Sequence, residues 1–195
     1  RKLLFCLISA LFLVLSWPPS GFPLLIFGAF VPLFLIVKDL QKKRFAFVYS
    51  FLVFALWNIF TTYWIYNASL FGAVAAVCVN SILMASVFTL FILLKSKFND
   101  RRAWWALISF WLSFEYLHLN WDLSWPWLTL GNVFAHYPQF IQWYVFTGTL
   151  GGSLWILLAN IILNHSIKNK SKFVLSLAVI TLPILFSFII NTKND

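Results

Sequence analysis

The chain has 195 residues, 62% of them hydrophobic and 21% aromatic against 10% charged, more apolar surface than one soluble core of this size can enclose. Its formal charge of +9 sits in short clusters between long apolar runs, which is a topology signal and not the basic face of a nucleic-acid-binding protein. Composition therefore excludes an ordinary soluble domain and predicts an all-α, polytopic membrane helix bundle.

A bilayer core about 30 Å thick requires roughly 17 to 25 apolar residues per spanning helix. Seven runs are bounded by charge or by Pro and Gly, and they predict one transmembrane domain over residues 1–195. The first two, 3–17 and 22–37, are short and joined by Pro18, Pro19, Ser20 and Gly21, a sequence that stops one helix and turns the chain. A spanning hairpin and a re-entrant pair both fit them. A basic start before an apolar run also suits a signal peptide, but bulky Trp17-Pro18-Pro19 replaces the small-residue cleavage site, so the segment reads as a retained helix. The third, fourth and fifth runs cover 45–63, 72–94 and 103–119. The sixth and seventh cover 140–163 and 173–190, with Pro183 inside the last as a kink.

Thirteen of the fourteen basic residues fall in alternate connections. Arg1 and Lys2 precede the first run; Lys38, Lys42, Lys43 and Arg44 follow the second; Lys95, Lys97, Arg101 and Arg102 follow the fourth; Lys168, Lys170 and Lys172 follow the sixth. Only Lys193 lies on the opposite side. Cytoplasmic loops hold the excess of Lys and Arg, so the N-terminus is predicted inside and the C-terminus outside. Two crossings and none return the chain to the same side, so this orientation does not depend on the first pair.

Unusual side chains gather on the predicted outer side: Trp17, the Tyr63-Trp64-Ile65-Tyr66 cluster, and the segment from Asn120 to Trp127. They read either as an interfacial belt, with rings anchored at headgroup level, or as a lipid entrance whose rigid rings shape a groove for acyl chains. Glu115 is the only acid inside a predicted helix and lies about 20 Å beyond Arg102 along its axis. His118 follows on the same helical face. Such a pair fits a water-lined cavity or an interfacial position, and alone it would also suit a small transporter or channel. The chain shows no internal repeat of the kind many transporters carry, and a structural membrane subunit is the third reading. Gly148 and Gly152 form a GxxxG spacing, which predicts close approach of a neighbouring helix. Cys6 and Cys78 lie far apart in apolar runs and read as packing residues, while His136 and His165 fall in opposite connections. No zinc spacing, phosphate-cradling Gly loop or Schiff-base Lys is present, so neither metal nor cofactor is expected.

Six groups of residues stand in a distinctive order: Ser16-Trp17-Pro18-Pro19 with Gly21, Tyr63-Trp64-Ile65, Phe114-Glu115-Tyr116-Leu117, Trp125-Pro126-Trp127-Leu128, Gly131-Asn132, and Gly148 with Gly151 and Ser153. In these the chain resembles, over essentially its whole length, the N-terminal membrane domain of the apolipoprotein N-acyltransferases. Val145 departs from the pattern, standing where an acid is expected shortly before Gly148. The resemblance implies a multi-pass protein of the bacterial inner membrane, in an enzyme that moves an acyl chain from a membrane phospholipid to the N-terminal diacylglyceryl-Cys of an apolipoprotein. It implies a Cys thioester formed by a Glu-Lys-Cys set in a nitrilase-like periplasmic domain that follows the seventh helix. No residue of this chain matches that set, so the 195 residues alone are expected to be inactive. What the resemblance assigns to them is anchoring and lipid admission, with Tyr63, Trp64, Glu115, Trp125, Pro126 and Trp127 as entrance residues.

Overall fold

The computed structural model describes residues 1–17, 21–38, 40 and 44–191. Pro18, Pro19, Ser20, Lys42, Lys43 and Lys193 lie outside them, as do the side chains of Lys38 and Arg44. Every regular element among the described residues is helical: α1 Lys2–Ser16, α2 Val31–Lys38, α3 Arg44–Thr62, α4 Leu70–Lys95, α5 Asp100–Leu119, α6 Tyr144–Ser166 and α7 Ser171–Asn191. Short 3-10 helices occupy Pro23–Gly28, Tyr63–Asn67, Pro126–Leu128, Leu130–Phe134 and Pro138–Phe140.

Four stretches, Phe45–Asn67, Leu70–Lys95, Tyr144–Ser166 and Ser171–Ile190, are long and apolar enough to cross a membrane. The chain is a multi-pass membrane protein with an all-helical bundle. α1 is shorter, at 15 residues. α5 has the length, 20 residues, but Asp100, Arg101, Arg102 and Glu115 dilute its hydropathy.

The second apolar run is not one helix. Pro23 brings no N–H, and Phe22 before it is extended at φ −102° and ψ 93°, as the residue preceding a proline tends to be. The chain therefore enters through the 3-10 helix Pro23–Gly28, and α-helical geometry resumes at Val31. Ala29 and Phe30, at the break, are fully buried. Backbone groups freed at membrane depth need partners inside the protein, and Asn160 of α6 supplies them. Its Oδ1 accepts from the Phe30 N–H at 2.9 Å, and its Nδ2 donates to the Ile26 carbonyl at 2.8 Å. The Ser9 hydroxyl of α1 donates to the Ala29 carbonyl.

Around this break the core is aromatic. Phe30 meets Trp111 edge-on at 5.3 Å, and Phe34 stacks on Phe88 at 5.8 Å, the offset and edge-to-face geometries that ring quadrupoles favour. α3 and α4 share a buried amide bond in which Asn80 Nδ2 donates to Asn58 Oδ1 at 2.8 Å. Arg101 and Lys172 line one cavity with Trp104 and His165, so the basic α4–α5 and α6–α7 connections share one end of the bundle. α7 is the peripheral helix: 11% of its spanning window is buried, against 44% for α4.

Candidate functional site

At the end opposite those cations, residues 120–143 fold back over the bundle as a chain of 3-10 helices. Pro126 and Pro138 each start one of them, where a missing N–H costs nothing and the fixed φ is already helical. What holds this loop down is Glu115. The residue is 3% exposed, and its Oε1 accepts from the Trp111 indole N–H at 2.9 Å and from the Leu130 N–H at 2.8 Å. The second bond satisfies the first N–H of the Leu130–Phe134 helix, a donor with no partner of its own within that helix.

α6 closes the other side. The Ser153 hydroxyl sits beside the Glu115 carboxyl and accepts from the Gly131 N–H at 3.0 Å, while the Tyr144 hydroxyl donates to the Gly131 carbonyl at 3.1 Å. Loop and helix touch here backbone to backbone. A Cβ at Gly131 would overlap the Thr149 carbonyl, and one at Gly152 would overlap the Tyr144 hydroxyl. The GxxxG pair thus acts only in part as its spacing predicts. Gly152 receives the loop and not a neighbouring helix, whereas Gly148 breaks α6 at φ 63° and ψ −172° with open space around its Cβ position. That conformation is reserved almost wholly for glycine. Val145, the departure from the family pattern, is exposed in the first turn of α6.

The aromatic residues of the predicted entrance divide into two groups. Tyr63 and Trp64 lie exposed in the Tyr63–Asn67 helix, and Trp64 meets Trp127 edge-on at 5.3 Å. Trp125 and Pro126 adjoin Trp127, with the Pro126 carbonyl accepting from Asn132 Nδ2 at 2.8 Å. Trp125 is half-buried, and its backbone N–H donates to the His118 carbonyl at 3.4 Å. Glu115 does not belong to that rim: its carboxyl faces inward, on the supports of the loop.

Glu115 and His118 share a helix face but form no pair. The His118 ring, 7% exposed, lies against Phe114 and Trp121, each at 5.2 Å. Neither of its nitrogens has a hydrogen-bond partner among the described residues. No group of three His, Cys, Asp or Glu side chains suited to a metal occurs among those residues. Cys6 is buried and Cys78 exposed, both as free thiols. The site presents a rigid, ring-lined surface held from behind by a carboxylate.

Two residues central to this arrangement, Ser153 and Asn160, have roles that no local pattern announces. Ser153 was marked only by its place in the family resemblance, and Asn160 only as a polar residue amid an apolar stretch of its helix, where a polar side chain must find a partner.

The family described as apolipoprotein N-acyltransferase N-terminal domain matches residues 9–162. A curated apolipoprotein N-acyltransferase from Chlorobaculum tepidum is 27% identical over 191 residues, which cover 93% of this chain and 36% of that protein. The chain thus spans little more than a third of the length of its relative. The match takes in the Glu115 staple, the 120–143 loop and the Gly148 break of α6, and the chain belongs to the apolipoprotein N-acyltransferase family.

Proposed function

We propose that the chain is the membrane domain of a phospholipid-dependent apolipoprotein N-acyltransferase, lodged in a bacterial inner membrane by seven helices with the N-terminus cytoplasmic and the C-terminus periplasmic. The acyl donor is a membrane phospholipid and the acceptor is the N-terminal diacylglyceryl-Cys of an apolipoprotein. The Glu-Lys-Cys chemistry belongs to a nitrilase-like domain and to none of these residues. Here the work is anchoring and admission of lipid. Tyr63, Trp64, Trp125, Pro126 and Trp127 form the entrance rim, and Glu115 positions it from inside.

The observation that carries this reading is the Glu115 staple under the aromatic loop. It fixes rigid rings at the end of the bundle opposite the basic connections, where cations would be absent from a periplasmic face. The test is complementation. The complete open reading frame containing this chain, expressed in cells depleted of their own N-acyltransferase, is expected to add a third acyl chain to a reporter lipoprotein, read as a mass increase of its N-terminal peptide. The 195-residue chain alone is expected to add none. An unmodified reporter with the complete frame well expressed would overturn the proposal.

A further inference from the structure

One groove runs along the α4–α5 face and meets the aromatic rim at Trp125. On α4 its lining falls at Gly72, Ala76, Asn80, Leu83, Val87 and Leu90, steps of three or four residues that stay on one face. On antiparallel α5 the matching positions are Phe110, Phe114, Leu117 and His118. The inner stretch, a cavity of 520 Å³, is walled by Leu83, Val87, Leu90, Phe110 and Phe114. The outer stretch, 430 Å³, is lined by Asn80, His118, Asp122, Ser124 and Trp125. His118 lines both and marks their junction.

The polar stretch is unfinished. Asn80 is 2% exposed; its Nδ2 is committed to Asn58, but its Oδ1 has no partner among the described residues. The same holds for both ring nitrogens of His118 and for Trp125 Nε1. Buried polar atoms left in this state are destabilising until a partner reaches them, and they cluster where the apolar groove ends. A ligand that completes them must be an amphiphile with hydrogen-bonding atoms directly above a long apolar tail. Ester carbonyls above an acyl chain have that layout for the two donors, the His118 ring N–H and Trp125 Nε1, whereas Asn80 Oδ1 is itself an acceptor and takes no bond from an ester. A groove open sideways along a membrane-spanning helix meets such molecules in the bilayer itself.

We propose that the α4–α5 groove seats one membrane phospholipid, its ester carbonyls accepting from His118 and Trp125 and an acyl chain along Leu83, Val87 and Phe114. The seat deepens the lipid-admission reading and rests on it only for the use made of the lipid, because occupancy is read without acyl transfer. A control groove exists in the same molecule. Leu7, Ala10, Leu11, Val14, Leu56 and Phe60 wall a 340 Å³ apolar groove between α1 and α3 that has no polar end.

The experiment uses the complete open reading frame reconstituted in phosphatidylcholine vesicles with a trace of phosphatidylcholine bearing a diazirine in one acyl chain. Photolabelled peptides are then quantified. Labelling of the Phe110–Leu117 stretch is expected to exceed that of the α1–α3 groove. His118→Leu, which removes one or two hydrogen bonds, and Ala75→Trp, which fills the lip of the polar stretch with a bulky ring, are each expected to lower it about fivefold, with the α1–α3 signal unchanged. Equal labelling of both grooves, or indifference to both variants, would mean bulk lipid only and overturn the seat. Displacement by a diacylglyceryl-cysteine peptide but not by unlabelled phospholipid would assign the groove to the acceptor and overturn it as well. A failure of acyl transfer with labelling intact would count against the proposed function and not against the seat.

Discussion

Glu115 illustrates how a residue can be conspicuous in sequence and misleading in role. As the lone acid of its helix it invites a reading as an ionisable site group, yet its carboxyl oxygen is occupied by Trp111 and the Leu130 N–H. Glu115→Leu would strand both donors in a buried position, at about 1–3 kcal/mol each. Glu115→Gln keeps a carbonyl acceptor and is expected to cost under about 1.5 kcal/mol. Thermal unfolding in detergent, followed by tryptophan fluorescence, should therefore rank wild type, Gln and Leu in that order, and equal losses would show that charge holds the loop and not the acceptor. A glycine pair makes a second contrast. Gly131→Ala pushes a Cβ into the fixed Thr149 carbonyl, an overpacking expected to cost about 1–3 kcal/mol. Gly148→Ala meets open space but must hold a positive φ, a strain of about 1–3 kcal/mol. Limited proteolysis separates them: Gly131→Ala should expose cleavage sites in residues 120–143, and Gly148→Ala should act at the start of α6. The importance of Glu115 was legible in its isolation among apolar residues. Its partner was not, because a backbone N–H donor carries no side-chain signature.

The second apolar run makes the same division between elements. Its existence and polarity are evident from composition, and Pro23 warns that the helix cannot run cleanly from Phe22. The three residues Ala29, Phe30 and Val31 at which α-helical geometry is interrupted and restored carry no turn chemistry of their own. The break is viable because Asn160, 130 positions further on, accepts from Phe30, a long-range pairing that no local window contains. Asn160→Leu should accordingly loosen residues 21–38 more than its own helix. In bilayers such bonds average about 0.6 kcal/mol and reach about 1.7, and Asn160 makes two to the break, so an overall loss of about 1–3 kcal/mol is expected. Hydrogen exchange by mass spectrometry should show faster exchange in peptides spanning 21–38 with α6 peptides near wild type. Uniform acceleration across both would mean that Asn160 only packs α6. The GxxxG spacing was informative in part: small residues announce close approach, which Gly152 makes to Gly131, but not whether a neighbouring long helix or a loop arrives.

For the whole molecule, the distribution of charge and the packing of the bundle converge on one claim about sidedness. Arg101 and Lys172 come from two different connections, far apart in numbering, yet line a single cavity, so the basic clusters of the α4–α5 and α6–α7 connections form one end and the aromatic 120–143 loop forms the other. Only the positive-inside bias then decides which end faces the cytoplasm. Leu123 is exposed in the 120–143 loop and Lys97 lies in the basic connection between α4 and α5, which makes them reporters for the two ends. In a Cys78→Ala background, because Cys78 is exposed while Cys6 is buried, Leu123→Cys should react with a membrane-impermeant maleimide in intact spheroplasts. Lys97→Cys should react only after the membrane is opened. The bias strengthens with each basic residue near a helix end, and Lys95, Lys97, Arg101 and Arg102 all cluster about the α4–α5 connection. The reverse pattern would turn the bundle over and place the ring-lined loop in the cytoplasm. It would thereby remove the loop from the side on which lipoprotein acylation is proposed, while leaving every packing contact described above intact.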